Sequence, residues 1–187
     1  MESVMWAFKQ LWDKGLIYEG HRVLPYSWAC ETPLSNFEIR MDNATRPRQD
    51  PAITVAFDLL EGDAPVKLLV WTTTPWTLPS NLAIAVGPEI EYSLLEENGT
   101  TYILASAVVK KYEAQLKNCI LKSTIKGSEL VGKTYRPLFD YFKDHPNSFR
   151  ILAGDFVSTE EGTGAVHMAA GFGEDDQRAC EANQISI

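Results

Sequence analysis

Ala52-Ile53-Thr54-Val55-Ala56-Phe57-Asp58-Leu59-Leu60-Glu61-Gly62-Asp63-Ala64-Pro65-Val66-Lys67-Leu68-Leu69-Val70-Trp71 is the stretch on which the fold turns. Ala52 to Leu60 alternates apolar and polar residues as a half-buried strand does, Glu61-Gly62-Asp63 reverses the chain, and Val66 to Trp71 returns as an apolar run, so a β-hairpin is expected. Outward from it, Leu82 to Val86, Tyr92 to Leu95 and Thr101 to Leu104 read as strands, the last two joined by a turn at Glu97-Asn98-Gly99. Phe149 to Ala153 and Ala165 to Ala169 are further strands, and His21 to Tyr26 is a short one. Helical spacing marks Glu2 to Lys14, with Gly15 where a left-handed cap would sit, Ser106 to Leu116 with Ser106 as cap, and Glu174 to Asn183. Strand and helix do not alternate regularly, which disfavours a parallel doubly wound sheet. The expected class is α+β, with a curved, barrel-like, mostly antiparallel sheet and flanking helices.

The 187 residues suit about one domain, and 45% hydrophobic content suffices for a core. The apolar runs are far shorter than a membrane span, and Met1-Glu2-Ser3-Val4-Met5 lacks the layout of a signal peptide, so a cytoplasmic protein without membrane contact is expected. Cys30, Cys119 and Cys180 form neither a disulfide framework nor a CxxC pair. A net charge of −8, from 25 acidic and 17 basic residues, argues against a surface that wraps a nucleic-acid backbone, while leaving room to grip one nucleotide end.

Directly after the hairpin comes Trp71-Thr72-Thr73-Thr74-Pro75-Trp76-Thr77-Leu78-Pro79-Ser80-Asn81. The prolines exclude a helix interior or central ladder, so the threonines leave the strand end as a loop. Hydroxyls donate and accept without charge, which suits ribose hydroxyls or a water better than free phosphate; an ordinary threonine-rich strand is the plain alternative. A second constellation is Gly162-Thr163-Gly164-Ala165-Val166-His167-Met168-Ala169-Ala170-Gly171-Phe172-Gly173-Glu174-Asp175-Asp176. Its paired glycines would let backbone approach a ligand closely. Strand alternation puts His167 on one side, with Val166 and Met168 on the other. Asp175 or Asp176 could simply cap the last helix. Gly162-Thr163-Gly164 precedes a strand and is no dinucleotide fingerprint, no G-x-S-x-G elbow is present, and His21, His145 and His167 lack metal-ligand spacing.

The two segments together resemble the editing domain, the connective polypeptide 1 insertion, of isoleucyl-tRNA synthetases in the class I aminoacyl-tRNA synthetase family. Pro75-Trp76 favours the isoleucine member over its valine and leucine sisters, and the resemblance extends over Met1-Glu2-Ser3-Val4 and Thr32-Pro33-Leu34-Ser35. It implies hydrolysis of valyl-tRNA(Ile) with exclusion of the isoleucyl ester, and action on valyl-adenylate as well. One methylene is worth only about 1 to 3 kcal/mol of discrimination, the valine and isoleucine pair at this synthetase being the established instance, so a second sieve is needed. The resemblance places Asp176 on the substrate's α-ammonium and His167 in the amino-acid pocket. Thr72, Thr73, Thr74 and Thr77 would contact the terminal adenosine and orient water, with Asp176, Thr73 and Thr74 closest to the chemistry and Trp71 and Trp76 as stacking surfaces or walls.

The same resemblance divides the chain into residues 1–45, a helix and connective segment, and residues 46–187, the editing core. Its partners would be the 3′ end of tRNA(Ile) carrying valine and the rest of the synthetase, with a monomer expected. Relatives often carry a zinc ribbon near Cys30; with one cysteine here, neither zinc nor any cofactor is expected. Ala170 replaces a usual proline and should loosen its loop. Nucleotide-binding signatures are absent, so an isolated editing module without ATP-dependent ligase activity is expected, with family elements beyond Ile187 missing. The alternatives are a non-catalytic module that binds the tRNA 3′ end or an adenylate, and a purely structural β-domain in which the two segments lie apart.

Overall fold

The computed structural model describes residues 1–62 and 64–187; Asp63, part of the expected hairpin turn, lies outside the described residues. In chain order the elements are α1 (Glu2–Asp13), β1 (Tyr26–Ser27), β2 (Thr32–Pro33), β3 (Ile53–Leu59), β4 (Val66–Thr72), β5 (Ala83–Val86) and β6 (Glu91–Glu97). β7 (Thr100–Ala105), β8 (Ile120–Lys126), β9 (Arg150–Ala153), β10 (Ala165–Met168) and α2 (Glu174–Ala182) follow. The expected hairpin is β3 and β4, antiparallel and in register from Ile53 opposite Thr72 to Leu59 opposite Val66. Its sister β6–β7 turns at Asn98 (φ 51°) and Gly99 (φ 80°), the two positive angles of a tight hairpin loop, which asparagine and glycine tolerate best.

The eight-stranded sheet is mixed. Its hairpin pairings are antiparallel, but β4 lies parallel to both β7 and β10, and β5 parallel to β9. Parallel neighbours are brought together by long connections, which local patterns do not report. One edge of β4 carries β3, and the other carries β7 at Val66 to Leu68 and β10 at Trp71, so the sheet splits there. Thr134 and Tyr135 then bridge Arg150 of β9 and Leu59 of β3, with Leu60 N donating to Thr134 O and Arg136 N to Asp58 O. The run β3, β4, β10, β5, β9 is thereby joined end to end into a small barrel, which covers part of the edges of β3 and β9.

β5 is buried on both faces. Ile84 and Val86 enter the barrel cluster with Phe57, Leu68, Val70 and Tyr135, whereas Ala83 and Ala85 face a second cluster with Leu152, Met168, Cys180 and Ile185. The alanines give α2, which contributes Cys180, room to lie close to the sheet. His167 pairs directly with Ile84 and so shares its barrel side. Among the described residues, both clusters draw only on residues from Val55 onward. α1 ends with Gly15 at φ +67° as expected, but none of its residues is buried.

Three expectations need correction. His21 to Pro25 is not strand; pairing begins at Tyr26, opposite Pro33 of the short strand Thr32–Pro33. Ser106 to Leu116 is a 3-10 helix over Ser106–Tyr112, in keeping with the stiff β-branched pair Val108-Val109. Ser106 does not cap it, because its hydroxyl meets Ser93 Oγ at 2.8 Å.

Candidate functional site

At the seam where Val166 of β10 lies opposite Trp71 of β4, a cavity of about 380 Å³ opens. Trp71, Thr72, Thr73, Thr74, Trp76 and Thr77 line one side, and His167 and Asp176 the other. The two sequence segments, 90 residues apart at Thr77 and His167, therefore meet, which excludes the purely structural reading that set them apart.

The threonine segment leaves β4 at Thr72 and enters a 3-10 helix, Pro75–Ser80, with Pro75 in its first turn, where the missing N–H costs nothing. Thr72 Oγ1 accepts the Thr74 N–H at 3.0 Å and lies 3.3 Å from Thr74 Oγ1. Thr77 Oγ1 donates to Thr74 O at 2.8 Å, so Thr72, Thr74 and Thr77 shape the loop as well as bordering the cavity. Thr73 is exposed on the rim, and among the described residues its hydroxyl has no hydrogen-bond partner. It is the threonine free to meet a ligand or water.

His167 is buried and both ring nitrogens are engaged: Nε2 lies 2.7 Å from Thr77 Oγ1 and Nδ1 3.1 Å from Asn81 Nδ2. Burial disfavours the imidazolium and lowers its pKa to about 4, so the ring is neutral at pH 7. With both nitrogens committed, His167 offers the cavity a ring surface rather than a proton acceptor.

Asp176 stands at the third position of α2, where the helix dipole favours a carboxylate. It does not cap the helix; Oδ2 turns back to accept the Ala169 N–H at 2.9 Å. Gly173 permits this, since a Cβ there would lie 3.3 Å from Asp176 Cγ. Burial raises the Asp176 pKa, opposed by the Ala169 N–H and reinforced by neighbouring Asp175. A partly buried carboxylate facing a cleft gains most from a cationic ligand that replaces lost water.

Other assignments change. The glycines of Gly162-Thr163-Gly164 make room for protein: a Cβ at Gly162 (φ +70°) would lie 2.9 Å from the Trp71 ring, and one at Gly164 (φ +78°) 2.5 Å from Ala105 Cβ. Trp71 is half-buried and Trp76 exposed, which divides wall from rim. Val166 borders the cavity together with His167, despite strand alternation, because the opening lies at the sheet's split. Sequence reading missed Phe172, 61% exposed on the rim, although an aromatic between Gly171 and Gly173 is a visible signal. It also gave no role to Asn81 or to Tyr135, whose buried contacts leave no mark in a pattern. Ala170 is buried in the second cluster. Among the described residues, no three His, Cys, Asp or Glu side chains cluster as a metal site would need, and no helix is long and apolar enough to cross a membrane.

Comparison with known proteins adds three findings. The family of class I tRNA synthetases (I, L, M and V) matches residues 1–159. Across its whole length the chain is 56% identical to an isoleucine–tRNA ligase of Rickettsia canadensis and 57% identical to that of Rickettsia peacockii, spanning 18% of the length of each. Among solved structures, GlLeuRS-CP1 is similar with a TM-score of 0.60 at 20% identity, over 70% of this chain and 59% of that one. The Plasmodium knowlesi cytosolic leucyl-tRNA synthetase editing domain gives 0.59 at 14%, over 71% and 64%.

Proposed function

Because the chain belongs to the class I tRNA synthetase family (I, L, M and V) and has the fold of synthetase editing domains, we propose that it edits for an isoleucyl-tRNA synthetase, hydrolysing the ester of valyl-tRNA(Ile) and sparing isoleucyl-tRNA(Ile). The observation that carries this reading is the meeting of a free-hydroxyl threonine loop, a neutral, fully bonded histidine and a half-buried carboxylate around one cavity.

In this reading Asp176 pairs with the α-ammonium of the aminoacyl group, an interaction that restores what burial took from the carboxylate. That pairing fixes where the side chain of the amino acid points. The ring of His167 and the Val166 side chain then bound the space left for it, so an extra methylene meets a wall that hydrogen bonds hold in place. Thr73, with Thr74 beside it, holds the attacking water and the terminal ribose; Trp76 and Phe172 flank the entrance for the adenine.

An aminoacyl ester is already activated, so positioning and stabilisation of the developing oxyanion supply most of the acceleration. Water adds to the ester carbonyl, the bond to the ribose oxygen breaks, and valine and free tRNA leave. His167 is no candidate for the base, because both nitrogens are bonded and its conjugate acid is disfavoured. Asp176 is occupied by the ammonium. The substrate's own neighbouring ribose hydroxyl is the remaining proton relay. We place this activity in the cytoplasm, within a longer polypeptide that supplies tRNA-binding surface to this acidic chain.

The test is single-turnover deacylation of valyl- and isoleucyl-tRNA(Ile) with the chain in excess. Release of valine with retention of isoleucine is expected. Tight binding of either ester without release would overturn hydrolysis in favour of a binding module.

A further inference from the structure

Tyr135 has no exposure to solvent and no place in the cavity wall, yet its hydroxyl is one residue removed from His167. We propose that Tyr135 is a positioning residue for selectivity: its hydroxyl holds the Asn81 amide so that His167 keeps one tautomer and one ring orientation. The proposal rests on the editing function above for its selectivity consequence, and on geometry alone for its effect on His167.

The directions of the hydrogen bonds follow from which atoms can donate. Tyr135 O–H donates to Asn81 Oδ1 at 2.6 Å. The other end of that amide, Nδ2, donates to Ala83 O at 2.8 Å and faces His167 Nδ1 at 3.1 Å. An amide NH₂ carries no lone pair to offer, so Nδ1 must accept. The ring proton therefore sits on Nε2, which donates to Thr77 Oγ1 at 2.7 Å; the Thr77 proton goes on to Thr74 O at 2.8 Å. Every bond from Tyr135 to the threonine loop thus has its direction set by what stands before it.

Three groups determine how the Asn81 amide faces: the carbonyls of Ala83 and Met168, to which Nδ2 donates at 2.8 and 3.5 Å, and the Tyr135 phenol. The carbonyls can only accept, and the Tyr135 phenol is the group that gives Oδ1 a proton. Turning the amide over would bring Oδ1 against the Ala83 carbonyl and Nδ2 against the phenol. It would also demand a proton on His167 Nδ1 and reverse the Thr77 bond. The phenol itself has little freedom. Phe57 and Phe149 pack edge-on against its ring at 5.2 and 6.0 Å, and its backbone N–H donates to Phe149 O while Leu59 bridges it from β3. The segment that closes the barrel is thereby the segment that anchors the site.

Two measurements test this. Long-range proton–nitrogen spectra of the nitrogen-labelled chain report the tautomer of each of its three histidines, with His167→Ala used to assign the signal. Wild type is expected to hold His167 purely as the Nε2–H form; an Nδ1–H form overturns the proposal without need of a variant. Tyr135→Phe keeps the ring and removes only the hydroxyl. It is expected to shift or broaden the His167 ring signals and to lower the valyl-to-isoleucyl deacylation ratio about tenfold, as for one lost buried hydrogen bond. A variant that is merely less stable, with wild-type His167 signals and wild-type selectivity, sinks the idea. So does lost selectivity with unchanged His167 signals, since the route through Asn81 would then be wrong. If the ring signals change but wild type hydrolyses neither ester, the positioning role stands and the editing reading falls.

Discussion

Replacing Asp176 by asparagine separates the two jobs its carboxylate performs. Asparagine retains an oxygen for the Ala169 N–H, which Asp176 Oδ2 accepts at 2.9 Å, but it loses the charge. Pairing a charge with an ammonium is worth about 1.5 to 3 kcal/mol, so kcat/KM for valyl-tRNA(Ile) should fall roughly 10- to 150-fold. Stability should move the other way. Burial raises the Asp176 pKa above 3.8, so the folded state binds its proton more tightly than the unfolded chain does. The stability this lends is full below pH 3.8 and is lost as pH rises through the raised value. At neutral pH the wild type has already lost it, whereas asparagine has no charge to desolvate. Asp176→Asn should therefore be at least as stable as wild type at pH 7. Asp176→Ala also strands the N–H of Ala169, a residue 1% exposed, and should lose about 1 to 3 kcal/mol by comparison with Asn. Urea unfolding at pH 7 with parallel single-turnover deacylation reads both effects. An asparagine variant that deacylates at the wild-type rate would refute the ammonium contact. One that is less stable than the alanine variant would refute the account of the Ala169 bond.

Other outcomes follow from the same geometry. His167→Ala removes one wall of the cavity, and isoleucyl-tRNA(Ile) deacylation should rise about tenfold or more relative to valyl, measured in paired assays. The His167 pKa is lowered from 6.5 to about 4, so wild type should lose up to about 3 kcal/mol relative to His167→Gln as pH falls from 6.5 to 4, by urea titration at each pH. Asp176 titrates with the opposite sign in both proteins and largely cancels in that difference. Gly162→Ala, at φ +70° and against the Trp71 ring, should cost about 1 to 3 kcal/mol and lower Tm. Phe172→Ala, on an exposed rim, should change stability by less than about 0.5 kcal/mol yet raise KM several-fold if the ring stacks on the terminal base.

Much of this molecule was legible locally. The hairpin over β3 and β4, the turn at Asn98-Gly99, the closing helix after Gly173 and the two site segments all have causes within a few residues: alternation, positive-φ tolerance, and proline's missing N–H. The residues expected at the site also line one cavity, where the two unusual segments of the sequence meet. What periodicity could not carry was everything decided between distant segments. That one edge of β4 carries parallel partners, that residues 134 and 135 close the barrel, and that the glycines of residues 162–164 yield to Trp71 and Ala105 depend on long connections meeting in space. The same holds for chemistry. Sequence marked His167 and Asp176 as candidates, but only their surroundings determine their states: burial and two hydrogen bonds make His167 a neutral wall, and the Ala169 N–H orients the Asp176 carboxylate in the cleft. A side chain's identity is written in the chain, whereas its proton and its direction are set by whichever groups the folded structure places against it.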